Sequence, residues 1–378
     1  MSAQFPVLDH VIHLNHAAVG PWPAATAQAV KDFADENESI GSANYVQWLK
    51  TEHRLRELLA RLLNARGSDE IALVKNTSEG LSFVAYGLDW RPGDNVVGIA
   101  QEFPSNRFVW ESLAGRGVEF RKLDLEASDD PEQALFELCD DATRLVSISA
   151  VQYHNGFRMN LERVGRFCRE RDILLCVDAI QQLGALPFDV QAVQADFVIA
   201  DGHKWLLSPE GLGVFFVRRE VQDRLALSQY GWHMVEDMGD YSQQTFSVAN
   251  SARRFECGSP NMTAIHAMSA SLELLLQSGM QEVGERVLAN SRLLIELLRA
   301  INGVEVLSDV SAERLSGIVT WRSQRLDTQQ IYQDLTGRGV LCASRGGGIR
   351  LSPHFYTPES QLRQVVDWIG EMHNGRGA

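Results

Sequence analysis

The sequence predicts an α/β protein: a large domain with a mostly parallel sheet between helices, followed by a smaller α+β unit. Three observations predict it. Apolar runs of four or five residues alternate with stretches of helical spacing through the middle of the chain. Runs such as 173–177 are apolar throughout rather than alternating, as strands buried on both faces are. From about Pro260 the pattern changes to two long helical stretches and then to short strands mixed with helices.

The elements follow in order. Residues 24–38 and 44–65 carry helical spacing; in the second, Trp48, Leu55, Leu58, Leu59, Leu62 and Leu63 make one apolar stripe. A short strand at 71–74 precedes a helix over 78–87 with one apolar side. Strands at 95–99, 118–123 and 145–148 are spaced by helices at 106–115 and 131–139. A helix at 161–171 leads into the run 173–177, and two further buried strands lie at 197–200 and 214–217. Helices at 263–277 and 280–301, strands at 304–307 and 317–321, and helices at 328–337 and 358–372 complete the chain. No Pro/Ser-rich linker marks a boundary. The division falls at 15–260 for the large domain and 261–378, joined by 1–14, for the small one.

Bulk properties narrow the partners. A length of 378 residues allows a substantial core, and a net charge of −14 argues against nucleic acid or an anionic membrane as the main partner. The five cysteines, Cys139, Cys168, Cys176, Cys257 and Cys342, are scattered without a C-x-x-C pair, as expected of reduced thiols in a cytoplasmic protein. The N-terminus lacks a basic stretch followed by an apolar run, so no signal peptide is expected, and no apolar stretch approaches the ~20 residues that span a bilayer.

Lys204 is the most informative residue. It stands in Asp201-Gly202-His203-Lys204-Trp205, between the strands at 197–200 and 214–217. A lysine walled by apolar residues loses hydration, its pKa falls, and it becomes an amine nucleophile suited to a Schiff base with a carbonyl cofactor. The competing reading is a strand-end lysine with its head in water. Asp178 ends the run 173–177, where ligands of open α/β sheets bind. A carboxylate there can keep the ring nitrogen of pyridoxal phosphate protonated, with Gln181 in reach of the ring oxygen; the alternative is an ordinary cap of the next turn.

Together, Asp178-x-x-Gln181 and Gly202-His203-Lys204 resemble the class V aminotransferase family of fold-type I pyridoxal-phosphate enzymes, over nearly the whole chain from about Leu14 to about Trp368. That family includes cysteine desulfurases, kynureninases, isopenicillin N epimerases and carbon–sulfur lyases. The resemblance implies a seven-stranded-type sheet, pyridoxal 5'-phosphate as cofactor, and a homodimer with shared active sites.

It also assigns residues. Thr77 and Ser78, before an apolar helix, carry over as phosphate ligands, although a plain N-cap explains such residues as well. His203 is a further phosphate candidate, and Asp201 has a turn or supporting role. Phe103 takes the place of the group that stacks on the ring, where desulfurases usually have His. Ser259, in Gly258-Ser259-Pro260-Asn261, inherits a reach to the partner subunit's cofactor phosphate; a simple turn is the alternative. Arg350 is the expected grip on the substrate α-carboxylate. Arg345 is placed to meet a substrate side chain. His16 is expected as a wall of the substrate site or a second acid/base, and Gln152 or Tyr153 as a neighbour of the ring oxygen. The run 346–348 reads as a mobile loop tip, and no metal ligand set is expected.

The implied reaction is at the amino group or Cα of a small amino acid, with Lys204 as general base. Aminotransfer and carbon–sulfur β-elimination need no second nucleophile and are the leading readings. Epimerisation needs a second base, for which His16 and Tyr153 are the candidates. A desulfurase needs a loop thiol, and Cys342, flanked by Val340, Leu341 and Ala343, reads as a strand thiol. A degenerate binding protein is opposed by Lys204, Asp178, Gln181 and Arg350 standing intact. A nucleotide-binding fold is opposed by the absence of phosphate-loop fingerprints.

Overall fold

Short polar residues start most of the helices. The computed structural model describes residues 3–242 and 244–375. After a two-residue strand β1 (Ile12–His13), helices α1 (Ala24–Ile40) and α2 (Tyr45–Leu63) form the N-terminal layer. Strand β2 (Ile71–Val74) then leads to α3 (Thr77–Gly87), capped by Asn76 Oδ1 accepting from Glu79 N. Next come β3 (Asn95–Ile99), α4 (Ser105–Glu111), β4 (Glu119–Leu123), α5 (Pro131–Glu137), β5 (Thr143–Ser149) and α6 (Leu161–Glu170). Asp130 caps α5, with Pro131 at its first position, and Asn160 caps α6.

Strand β6 (Leu174–Asp178), the four-residue α7 (Val190–Val193), β7 (Phe197–Asp201) and β8 (Gly213–Val217) finish the large sheet. Its order is β2-β8-β7-β6-β5-β3-β4. Only β8 runs against its neighbours, so the predicted seven-stranded, mostly parallel sheet is what forms. Strands of period two bury alternate residues on opposite faces. Leu175 and Val177 join one core layer, and Leu174 and Cys176 the other.

The rest of the chain is α8 (Met262–Ser278), α9 (Met280–Arg299), β9 (Val304–Val306), β10 (Val319–Ser323), α10 (Thr328–Gly337), β11 (Val340–Leu341), β12 (Ala343–Arg345), β13 (Gly348–Leu351) and α11 (Glu359–Gly375). Helix α8 packs on α1 and α2, and Ile265, Met268, Leu272 and Leu275 belong to the core of the large sheet. Strands β12-β13-β10-β9 make an antiparallel sheet that shares a separate core with Leu294, Leu298, Leu362 and Ile369 of α9 and α11. Ile12 and Leu14 join that second core, because β1 pairs in parallel with β11.

The 346–348 run is a tight turn, not a loop tip. Gly346 and Gly347 have φ of 60° and 75°, which a two-residue hairpin of this hand requires, and Gly348 already belongs to β13. A Cβ on Gly346 would stand 2.8 Å from the carbonyl oxygen of His154, so the turn is also packed down.

A buried charge network joins α2 to the segment before α8. Arg56 is ion-paired to both Glu52 and Glu256, with Arg56 Nη2 2.9 Å from Glu256 Oε2. Glu256 Oε1 also accepts from Leu73 N at 2.8 Å, which ties in β2. His233 completes the cluster, 3.5 Å from Glu52. Burial works against the Arg56 charge, but the two carboxylates outweigh it and hold its pKa above the ordinary arginine value. No helix among the described residues is long and apolar enough to cross a membrane.

Candidate active site

Five strands of the large sheet deliver their following turns to one place. The turns after β2, β3, β5, β6 and β7 supply Thr77 and Ser78, Phe103, Tyr153, Asp178 with Gln181, and His203 with Lys204. This is the carboxyl edge of the parallel strands, where the peptide chain turns away and leaves a crevice. The resulting cleft holds about 300 Å³ and is closed by Ala17 and Ala18 on one side and by Arg345 and Arg350 on another.

Lys204 is 8% exposed, with Nζ 5.6 Å from the centre of the Phe103 ring. Burial lowers its pKa to about 8; Asp178 opposes the fall, and Arg350 and Arg345 add to it. Its turn is clamped from outside. Gly20 N donates to His203 O at 2.7 Å, and a Cβ on Gly20 would lie 2.1 Å from Lys204 O, so only glycine lets the N-terminal segment cross here.

Asp178 is 2% exposed, and burial raises its carboxyl to about 6, against the Ile180 N–H bond at 3.0 Å and the nearby Lys204. Gln181 is fixed at both ends. Its Nε2 donates to Ala17 O at 3.0 Å, and its Oε1 accepts from Trp205 Nε1 at 2.9 Å, which leaves one N–H of the amide. His203 Nδ1 stands 3.0 Å from Asp201 Oδ1 but outside hydrogen-bond geometry, so both atoms remain without a hydrogen-bond partner.

At the other end of the cleft, Thr77 and Ser78 are the first residues of α3, where backbone N–H groups have no partner within the helix. Thr77 Oγ1 is buried without a partner, and Ser78 Oγ bonds Ser105 Oγ at 2.9 Å. A doubly charged anion fits this donor set. Phe103 and Ile180 offer apolar surface for a flat ring in the same cleft as Asp178 and the Lys204 amine. The residues present therefore suit pyridoxal phosphate.

Not every expected residue reaches the cleft. His16 is 0% exposed, and both ring nitrogens are committed, Nδ1 to Ser352 O at 2.8 Å and Nε2 to Tyr356 Oη at 2.6 Å. One tautomer satisfies both: Nδ1–H donates to the carbonyl, and Nε2 accepts from the phenol. Burial pushes its pKa well below the usual value, so the ring is a neutral packing element and neither a substrate wall nor a second base. Gln152 turns inward to Glu102, while Tyr153 lines the cleft, edge-on to Phe103 at 5.2 Å. Ser259 lies in a separate depression with Lys75, Glu79 and Gly211. Arg350 lines the cleft and donates to Tyr153 O at 2.6 Å.

Two contributors escaped the sequence reading. Ser105 holds Ser78 at the anion end. Glu102, 2% exposed, bonds Ser149 N at 2.7 Å and Gln152 Nε2 at 3.1 Å. Burial, and more weakly Asp178, raises its carboxyl to about 7 despite these bonds. Its place directly before Phe103, after a buried strand, was the available signal.

The cleft carries a test of its own. Only the neutral amine attacks a carbonyl. Covalent capture of pyridoxal phosphate, followed by absorbance after rapid mixing, is expected to accelerate as pH rises and to level off above about 8. A rate that climbs in parallel with that of N-acetyl-lysine would show that Lys204 is not desolvated.

The fold is of the α/β type, with a buried lysine and a buried carboxylate sharing one cleft at the carboxyl edge of the large sheet. The family model for class-V aminotransferases matches residues 12–360, and the chain belongs to that family, whose members are pyridoxal-phosphate-dependent enzymes. It is 27% identical to a probable cysteine desulfurase of Methanothermobacter thermautotrophicus, over 97% of this chain and 96% of that one. It is also 27% identical to the uncharacterized aminotransferase YcbU of Bacillus subtilis, over 97% and 95% of the two chains. Among solved structures, a C-DES mutant with glycine covalently linked to its PLP cofactor superposes with a TM-score of 0.92 at 22% identity, covering 98% of this chain and 99% of that one. C-DES in complex with cysteine persulfide, described as a cystine C–S lyase, gives 0.90 at 23% identity over 97% and 99%.

Proposed function

We propose that this chain uses pyridoxal phosphate to act at Cα of a small α-amino acid, as a carbon–sulfur β-elimination lyase or an aminotransferase. The observation that carries the reading is the Lys204 amine, buried and lowered to about 8, sharing one cleft with Asp178. The cofactor, when bound, supplies an electron sink for charge developing at Cα. Lys204 anchors it and, once released, takes the Cα proton at Nζ. Asp178 would hold the ring nitrogen's proton, Phe103 would supply an apolar surface for the ring, and Arg350 would orient the substrate carboxylate. Thr77, Ser78 and His203 bind the phosphate.

Two alternatives lose support. Cys342 is buried, and burial pushes its thiol up to about 12, so it is a poor nucleophile for persulfide transfer. With His16 committed elsewhere, Tyr153 is the one remaining candidate from the sequence for an epimerase's second base. We also propose a homodimer in which Ser259 serves the neighbouring site. The segment between β8 and α8 that carries Ser259 exposes Tyr230, Tyr241 and Phe246, an apolar set suited to burial between subunits.

The test is product analysis with the loaded protein and matched amino acids. Release of a thiol and pyruvate from an S-substituted cysteine identifies the lyase. Keto-acid formation with amino transfer to a second keto-acid identifies the aminotransferase. A protein that binds pyridoxal phosphate yet turns over neither class, while exchanging the Cα hydrogen with inversion, would overturn the proposal.

A further inference from the structure

We infer that the substrate carries a second anionic group besides its α-carboxylate, and that Arg345 receives it. The inference rests on the reading of the cleft as an amino-acid site. Arg345 and Arg350 sit on the two strands of one hairpin, where Arg345 opposes Gly348 and Ala343 opposes Arg350. Directly opposed residues share a face, and so do residues two apart along a strand. Both arginines therefore leave the same face as diagonal neighbours, ~7–8 Å apart at the backbone. The other two positions on that face are Gly348 and Ala343, which carry no group to separate or neutralise the guanidiniums.

Many buried or half-buried arginines of the chain are neutralised by a neighbouring carboxylate. Arg56, Arg163, Arg218 and Arg314 each have a carboxylate at ion-pair distance. Among the described residues, neither Arg345 nor Arg350 has one, and both line the cleft. Arg350 Nε is buried without a hydrogen-bond partner. Burial first, and then the like charge of Arg345, lowers the Arg350 pKa to about 10. One carboxylate is satisfied by one guanidinium fork. The phosphate donors Thr77 and Ser78 come from α3, not from the hairpin. The second guanidinium is thus left for an anion at the far end of the substrate. Its mount is the tight turn at Gly346 and Gly347, held on the Gly346 side, where a Cβ would meet His154 O at 2.8 Å.

The substrate class is an α-amino acid whose side chain ends in a carboxylate or another oxyanion, such as an S-carboxyalkyl cysteine or a dicarboxylic amino acid. Unreactive acids test binding without turnover. Calorimetry on the pyridoxal-phosphate-loaded protein compares succinate with butyrate, for wild type, Arg345→Gln and Arg345→Lys. Wild type is expected to prefer succinate roughly 10- to 100-fold, as a hydrogen-bonded charge contact gives. Arg345→Gln should bring the ratio close to one, and Arg345→Lys should restore part of it. In turnover, the kcat/KM ratio of S-carboxymethylcysteine to S-methylcysteine should fall in the same order. No succinate preference in wild type, or one that survives in Arg345→Gln, overturns the inference. Absorbance of the same samples keeps the two readings apart. A protein that never takes on the colour of lysine-bound cofactor overturns the cofactor reading, whereas a coloured protein without the preference overturns only the second anion.

Discussion

Lys204→Ala protein is expected to emerge colourless from gel filtration after incubation with pyridoxal phosphate, while wild type retains near-visible absorption through the column. The amine is the one group in the cleft able to bond the cofactor's carbonyl, and its surroundings favour the reactive form. Turnover should fall at least 10²–10⁴-fold, the usual contribution of a general base, beyond any loss from weaker cofactor retention. Added methylamine should recover part of it, since a free amine can enter the space the side chain vacates. The fold should survive, because the turn around Lys204 is held by backbone groups of Gly20, Gly202 and Ser208 rather than by the lysine side chain. Retained colour or undiminished turnover in the variant would remove Lys204 from the chemistry.

Arg56→Met is expected to be the most destabilising of the substitutions considered. The guanidinium is the partner of two buried carboxylates, and removing it leaves Glu52 and Glu256 facing each other without water. Breaking a buried pair in this way costs about 3–5 kcal/mol. The urea midpoint should drop accordingly. Adding Glu52→Gln and Glu256→Gln to Arg56→Met should recover much of the loss, because the penalty belongs to the stranded charges rather than to the missing arginine. An unchanged midpoint in the single variant would mean that water or His233 already balances the pair.

Much of this molecule is legible in its sequence, and the rest is hidden for identifiable reasons. The strand Asn95–Ile99 and the helix Thr328–Gly337 fall where apolar pattern and capping residues put them. The strands at Ile12–His13 and Val340–Leu341 are too short for any periodicity and exist only because they pair with each other. Thr77, Phe103, Asp178, Gln181, His203 and Lys204 were readable because each ends or follows a buried strand, and the topology of a parallel sheet gathers such positions at one edge. His16 was misjudged because its partners, Ser352 and Tyr356, are more than 330 residues away. Tyr153 and Gln152 are adjacent in sequence and opposite in direction, a choice made by Glu102 lying beneath them.

The parallel pairing of β1 with β11 has a consequence for how the molecule is born. Ala17 and Ala18 wall the cleft, but the segment carrying them is anchored through Ile12 to Val340, through Asn15 to Ser352, and through Gly20 to the turn of Lys204. A nascent chain exposes its first twenty residues long before any of those seats exist. Contacts this far apart in sequence form late, since the loop they close must first be ordered. The segment that carries Ala17 and Ala18 therefore takes its seat only after residues 340–352 have been made and folded, and that wall of the cleft closes behind an already formed sheet.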